Sequence, residues 1–193
     1  MSIILSLIFL IIFLVLFTFY FLFLFNMILM RGHDLPTSQK AIKKIIKIIS
    51  ETPHQNWWGA DQNNLEFYDL GCGRGNVLIA IKKAFPQFSV IGIEKNPLQT
   101  FFAKLKTFLL RQDILFQKID LFKVNLEKAD IIYAYLWYDL MPDLEKKLKN
   151  ELKKGAIIIT NTSSFPNWQP EEIYLTHSKK PDFEKLFVYV KKN

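Results

Sequence analysis

The sequence predicts an α/β domain whose sheet is mostly parallel and closes in a C-terminal antiparallel hairpin, preceded by one apolar helix. Three observations carry this expectation. Residues Ile3 to Phe25 carry no charge. From Leu65 to Thr160, short apolar runs alternate with segments of helical periodicity. After Thr162 that rhythm stops, and two short strand-like runs follow.

In the first segment only Ser6, Thr18 and Tyr20 have a polar side-chain group. A spanning helix needs about 20 mostly apolar residues, and this run is long enough. A cleaved signal peptide would need a basic start, a shorter apolar stretch and a small-residue cleavage site. No Lys or Arg precedes Arg31, and no Ala-x-Ala pattern follows. A helix apolar on all sides would otherwise have to be buried, and the rest of the chain is too small to bury it and also hold a sheet. Residues 1–30 are therefore expected to be a single-pass membrane anchor. Arg31, Lys40, Lys43, Lys44 and Lys47 follow closely within a chain of net charge +7. By the positive-inside rule the C-terminal part should face the cytoplasm. Cys72 is the only cysteine, so no disulfide framework exists.

Residues 31–64 are expected to form a linker with Gly32 and Pro36, an amphipathic helix from about Thr37 to Ser50, and a polar loop from Pro53 to Asn64. Ile42, Ile45, Ile46 and Ile49 share one helix face and the four lysines another. That basic face reads either as attraction to anionic lipid or as an ordinary solvated face.

The domain proper is expected over 65–193. Leu65 to Leu70 is a strand ending in a glycine loop. Gly75 to Ala84 is a helix stopped by Pro86. Phe88 to Glu94 is the second strand, and Pro97 to Arg111 a helix with proline where it is tolerated. Ile114 to Ile119 is the third strand. Ala129 to Leu136 is the fourth, apolar as a strand buried on both faces should be. Pro142 to Lys153 is a helix stopped by Gly155, and Ala156 to Thr160 the fifth strand. Ile173 to His177 and Leu186 to Lys191 form the hairpin, turning near Pro181, with one antiparallel strand added at a sheet edge.

The most informative stretch is Asp69-Leu70-Gly71-Cys72-Gly73-Arg74-Gly75-Asn76. It follows a strand and opens a helix. Glycines on alternate positions allow positive φ and close approach of a ligand, and the helix start presents free N–H groups. Glu94 ends the next strand, where a carboxylate can accept both hydroxyls of a ribose. A dinucleotide site wants G-x-G-x-x-G. Here the spacing is G-x-G-x-G, and the preceding Asp69 would repel a phosphate. S-adenosylmethionine, with an ammonium group and no phosphate, suits this loop better. Asp120, at the end of the third strand, can accept from an adenine amino group or cap a turn; Leu121 beside it can cover the ring. Cys72 reads as a small loop residue.

These residues resemble the class I methyltransferase superfamily, with its Rossmann-like sheet, over about Pro36 to Lys191. Within it the chain is most similar to the small family of membrane-anchored protein-lysine methyltransferases. Eukaryotic members of that family act on the adenine nucleotide translocase and on the c subunit of ATP synthase. The shared features are the apolar N-terminal helix, Leu35-Pro36-Thr37-Ser38, and Asp120-Leu121-Phe122-Lys123-Val124-Asn125-Leu126. Leu148-x-x-Glu151-Leu152-x-x-Gly155 and Phe165-Pro166-x-Trp168-Gln169-Pro170 complete the set. The resemblance implies that Asp69, Gly71, Gly73 and Gly75 hold the methionine end, Glu94 the ribose and Asp120 the adenine; Asn76, at the helix start, and Leu121 are expected to line the same cofactor site. It implies that Thr37 closes the pocket. Phe122 departs from the family's usual Trp, and Leu35 from an aromatic or Val.

Methyl transfer chiefly requires nucleophile, carbon and leaving sulfur held in line. At the end of strand four, Tyr135 and Trp137 are placed to flank a lysine stem, and Asp139 either takes a proton or caps the next helix. His33, His54 and His177 are isolated, so no metal is expected. Nucleic acid is the less favoured acceptor: Asn-Pro-Pro-Tyr or Asp-Pro-Pro-Tyr is absent after strand four, and Cys72 sits in the wrong place for a nucleophile. A small lipid or quinone acceptor, and a cofactor-binding module without turnover, remain as alternatives. The expected partners are a membrane-associated protein substrate and the lipid bilayer.

Overall fold

The computed structural model describes residues 2–29, 36–52, 65–177 and 183–192. The expected linker around Gly32, the loop from Pro53 and the turn near Pro181 fall outside them. The chain divides into two compact units, Met1–Pro36 and Thr37–Asn193.

The first unit is the helix α1, Ser2–Leu29. Its segment Ile3–Phe25 is 23 residues of mean hydropathy 3.1. At 1.5 Å per residue that is about 34 Å, enough to cross a hydrocarbon core of about 30 Å.

The second unit is an α/β sandwich. Its helices are α2 (Gln39–Glu51), α3 (Asn76–Ala84), α4 (Pro97–Leu109) and α5 (Met141–Glu151). Its strands are β1 (Glu66–Leu70), β2 (Ser89–Ile93), β3 (Leu115–Gln117), β4 (Ile131–Ala134), β5 (Ile157–Asn161), β6 (Glu172–Leu175) and β7 (Lys185–Val190). The sheet order is β3-β2-β1-β4-β5-β7-β6. β1 to β5 pair in parallel, and β7 runs antiparallel to both β5 and β6.

Sequence accounts for most of these elements locally. Ser38 caps α2 by accepting the Ala41 N–H at 3.1 Å. Asn96 caps α4 by accepting from Leu98 and Gln99, with Pro97 in its first turn. α5 carries the i,i+4 ion pairs Glu145–Lys149 and Lys147–Glu151. β4 and β5 are buried along their whole length, as their unbroken apolar runs require.

Two apolar layers flank the sheet. On one face, α2, α3 and Ala103 of α4 pack against Phe67, Val90, Phe116, Ile131 and Ile159. On the other, Met141, Leu144 and Leu148 of α5 pack against Leu70, Ile91, Ile132 and Ile158. The sequence groups α2 with the linker; its Ile42, Ile45, Ile48 and Ile49 lie in the domain core.

The hairpin departs from expectation in one respect. The antiparallel strand β7 lies inside the sheet, and β6 takes the edge. Burial gives the reason. Leu186, Val188 and Tyr189 of β7 are buried, whereas Glu172, Ile173 and Leu175 of β6 are exposed. The strand with more apolar surface to hide takes the position with a neighbour on each side.

Candidate functional site

The chain runs β1 to β3 in one direction across the sheet and then returns to β4 beside β1. This reversal is a switch point, where open α/β sheets bind ligands at the carboxyl ends of their strands. Asp69 lies at this point, paired in register with Gly92 of β2 and Tyr133 of β4.

The glycine loop follows immediately. Gly71, Gly73 and Gly75 have φ of +78°, +52° and +70°, a region disfavoured for residues with a Cβ. The loop is tied to the end of β2, because Gly71 and Cys72 both donate to the Ile93 carbonyl, at 2.8 and 3.0 Å. A Cβ on Gly71 would come within 2.9 Å of Leu136, and one on Gly73 within 2.9 Å of Gln99 Oε1. Gly92 is a close-approach position that the sequence pattern does not reveal: a Cβ there would lie 2.5 Å from Leu78 and 2.8 Å from Cys72 Sγ.

Glu94 joins the loop to α4. Its Oε2 accepts the Gly73 N–H at 3.0 Å, and its Oε1 accepts the Asn96 N–H at 2.8 Å. A carboxylate offers about four acceptor positions, so both oxygens keep capacity for sugar hydroxyls. Asp69 differs. It is 3% exposed, and no described group hydrogen-bonds to its carboxyl. Burial first, and the neighbouring Glu94 charge second, push its pKa up to about 8. A buried acid without a hydrogen-bond partner among the described residues fits a ligand that brings a cation. Two acids this close do not fit a pyrophosphate. The residues present thus suit S-adenosylmethionine, with its ammonium group and its ribose.

The remaining predicted residues divide. Asp120 follows β3 at the same edge, is half-buried, and accepts the Phe122 N–H at 3.0 Å in a local turn. Leu121 is half-buried against the α5-side core. Thr37 donates to, or accepts from, the Tyr133 hydroxyl at 2.7 Å, which sets the pre-α2 segment over the switch point. The Asn76 side chain turns toward α4 instead, accepting from Lys106 Nζ at 2.5 Å. Tyr135 is half-buried against the α2-side core, while Trp137 and Asp139 are exposed. Asp139 caps no helix through its side chain: Trp137 and Leu140 occupy the cap positions of the 3-10 helix Tyr138–Leu140 and of α5, without side-chain bonds. A single 3-10 turn between β4 and α5 displaces Asp139 from the cap. Cys72 is buried; burial, then Asp69 and Glu94, raise its thiol pKa far above the ordinary range, against any role as a nucleophile.

One polar network was not foreseen. The Tyr133 hydroxyl accepts from Asn161 Nδ2 at 3.1 Å, and Asn161 Nδ2 also donates to Glu184 Oε1 at 2.9 Å. Ser38 Oγ donates to Glu184 Oε2 at 2.5 Å, and Thr176 Oγ1 donates to the Glu184 backbone carbonyl at 2.8 Å. Tyr133, Asn161 and Glu184 are nearly fully buried. The network reaches from beside Asp69 to the start of β7 and holds the Thr37-Ser38 segment down. The signal for it in the sequence was Asn161, a polar residue closing an apolar strand.

Known proteins resemble this chain in sequence and in fold. A protein-lysine N-methyltransferase of Saccharolobus islandicus (strain REY15A) is 24% identical over 141 residues, covering 72% of this chain and 81% of that protein. The lysine N-methyltransferase of Xenopus laevis named for the C subunit of ATP synthase is 32% identical over 108 residues, covering 55% of this chain and 47% of its own length. The chain thus spans about half the length of that relative. Among solved structures, an RNA methyltransferase from Salinibacter ruber in complex with S-adenosyl-L-homocysteine superposes with a TM-score of 0.69 at 17% identity. It covers 82% of this chain and 95% of its own, and shares the Rossmann-like fold. Residues 69–172, from Asp69 through the glycine loop, Glu94 and Asp120 to the start of β6, match the ANTKMT methyltransferase domain. That match takes in more than half of the sequence, and the chain belongs to the ANTKMT methyltransferase domain family.

Proposed function

We propose that this chain is an S-adenosylmethionine-dependent methyltransferase that N-methylates a lysine of a membrane-associated protein, held at the membrane by α1 with its catalytic domain in the cytoplasm. The observation that carries the proposal is the buried Asp69 at the switch point, without a hydrogen-bond partner among the described residues, beside a glycine loop and Glu94. The names of the two lysine N-methyltransferase relatives support lysine as acceptor.

When bound, S-adenosylmethionine supplies an electrophilic methyl group on a cationic sulfur. Asp69 takes its ammonium, and Gly71, Gly73 and Gly75 admit the methionine end. Glu94 receives the ribose hydroxyls, Asp120 the adenine amino group, and Leu121 covers the ring. Thr37, held by Tyr133, closes the site. The acceptor lysine must be neutral to attack, and an apolar surround lowers its pKa. Tyr135 and Trp137 provide that surround. Asp139, exposed and free of a capping role, receives the proton that leaves the lysine. The anchor does no chemistry; it raises the effective concentration of acceptors at the membrane surface.

The test is to incubate membranes from a deletion strain with the purified full chain and methyl-labelled cofactor. Label recovered as methyl-lysine in a protein band is the expected result. Label in RNA or in the lipid fraction would replace lysine with another acceptor, and cofactor binding without any label would leave a binding module. Protease added outside intact cells should leave the domain uncut.

A further inference from the structure

α4 is built inside out. The side chains it turns toward the sheet are small or polar: Gln99, Thr100, Ala103 and Thr107 are buried. The large apolar ones face away. Leu98, Phe101, Leu105, Phe108 and Leu109 recur at helical spacing on the outer side, with Phe101 59%, Phe108 78% and Leu109 71% exposed. Leu110 and Leu115, also exposed, extend the patch past the end of the helix. Monomeric soluble domains rarely leave so many large apolar side chains contiguous in water.

The charge along the helix itself is of one sign, and the first acid after it is the exposed Asp113. From Lys95 to Gln112 the sequence has Lys95, Lys104, Lys106 and Arg111 and no acid. Lys104 and Arg111 are exposed, whereas Lys106 is engaged by Asn76. An apolar stripe of Phe and Leu flanked by cations is the pattern of a helix lying in a membrane interface. A second copy is disfavoured as the covering surface, because α4 against α4 would bring like charges together. The bilayer is also within reach by chain length: nine residues separate Leu29 of α1 from Gln39 of α2, which span at most about 32 Å.

We propose that α4 is a second membrane contact, seated in the interface of an anionic bilayer. Phe101, Phe108 and Leu109 enter the acyl boundary, and Lys104 and Arg111 meet the headgroup phosphates. The proposal rests on the reading of α1 as an anchor. It gives α4 a part in substrate choice. The Asn96 N–H that begins the helix is held by Glu94, so seating α4 brings the cofactor edge down to the lipid surface, where lysines just outside a bilayer are presented.

The full chain, reconstituted into nanodiscs of phosphatidylcholine and phosphatidylglycerol, tests this. A nitroxide is placed at Phe108→Cys, at Leu109→Cys, or at Asn150→Cys on α5, which packs on the opposite face of the sheet. The unmodified chain, with its buried Cys72, is the labelling blank. Power saturation reads access of each label to oxygen, which concentrates in lipid, against a water-soluble nickel chelate. Labels at 108 and 109 should favour oxygen severalfold over the label at 150. Nickel access at 108 and 109 equal to that at 150, in disc-bound protein, overturns the docking and leaves the anchor intact. Shielding from both reagents with spin–spin broadening assigns the patch to a second copy and also overturns it. A full chain that never enters the discs removes the anchor and the docking together.

Discussion

Replacing Asp69 with Asn should abolish a proton release that accompanies cofactor binding. With its pKa pushed up to about 8 by burial and Glu94, the carboxyl is about 97% protonated at pH 6.5 in the free protein. An ammonium group within reach lowers a carboxylate pKa by about 1 to 3 units. A shift at the upper end brings Asp69 to about 5, so it is ionised at pH 6.5 once the ligand is in place. Binding to the wild-type chain should then expel close to one proton, about 0.9, and affinity should rise nearly tenfold per pH unit between about pH 5 and 7. The ligand's own amino group, with an α-amino pKa of about 8, stays protonated in that window and does not blur the count. The assay is titration calorimetry of the full chain in detergent, repeated in two buffers with different ionisation enthalpies. The difference in heat gives the protons released. Asp69→Asn should show no such difference and a flat affinity over the same range. Buffer-independent heats in the wild type, or an equal proton count in the variant, would refute the pairing of Asp69 with the cofactor's cation.

The same shift has a consequence for stability without cofactor. Because the folded pKa of Asp69 lies above its unfolded value, its contribution is full below about pH 4 and is lost as pH rises through about 8. Asp69→Asn should therefore melt higher than the wild type at pH 8, with the gap closing toward pH 4, in thermal scans of the apo chain. Glu94→Ala removes the acceptor for both Gly73 and Asn96 and two charge-assisted bonds to the ribose, each of about 1.5–3 kcal/mol. Cofactor affinity should fall about a hundredfold or more, while circular dichroism stays unchanged. Gly73→Arg combines a φ of +52° with a Cβ 2.9 Å from Gln99, and it should leave no measurable binding. Glu184→Ala removes one of two hydrogen bonds from the buried Asn161 amide and one from the half-buried Ser38 hydroxyl; at about 1–3 kcal/mol for an unsatisfied buried N–H, a lower urea midpoint with an unchanged slope is the expected result.

Much of the candidate site's geometry was legible in the sequence because it is local. Asp69, the three glycines and the helix start lie within eight consecutive residues, and a positive-φ loop between strand and helix has few residue solutions. Glu94 was found because its strand is short, apolar and followed by the Asn-Pro start of a helix. Asn76 and Asp139 were read from position alone, and the structure adds what position does not show. Lys106 of α4 takes the Asn76 oxygen, and a 3-10 turn removes Asp139 from the cap.

By itself, then, the sequence determined the strand–helix alternation, the glycine loop with its two acids, and the apolar length of α1. All of these are set by neighbours within about twenty residues, through periodicity, backbone freedom and hydrophobic length. Tertiary structure alone decided which strand of the hairpin pairs with β5, because that depends on how much apolar surface each of the two has left to bury. It alone joined Thr37 and Ser38 to Tyr133, Asn161 and Glu184, partners as far as 146 residues apart in the chain. And it alone raised the pKa of Asp69, since a carboxyl's charge answers to the water it has lost and to a neighbouring acid, here Glu94.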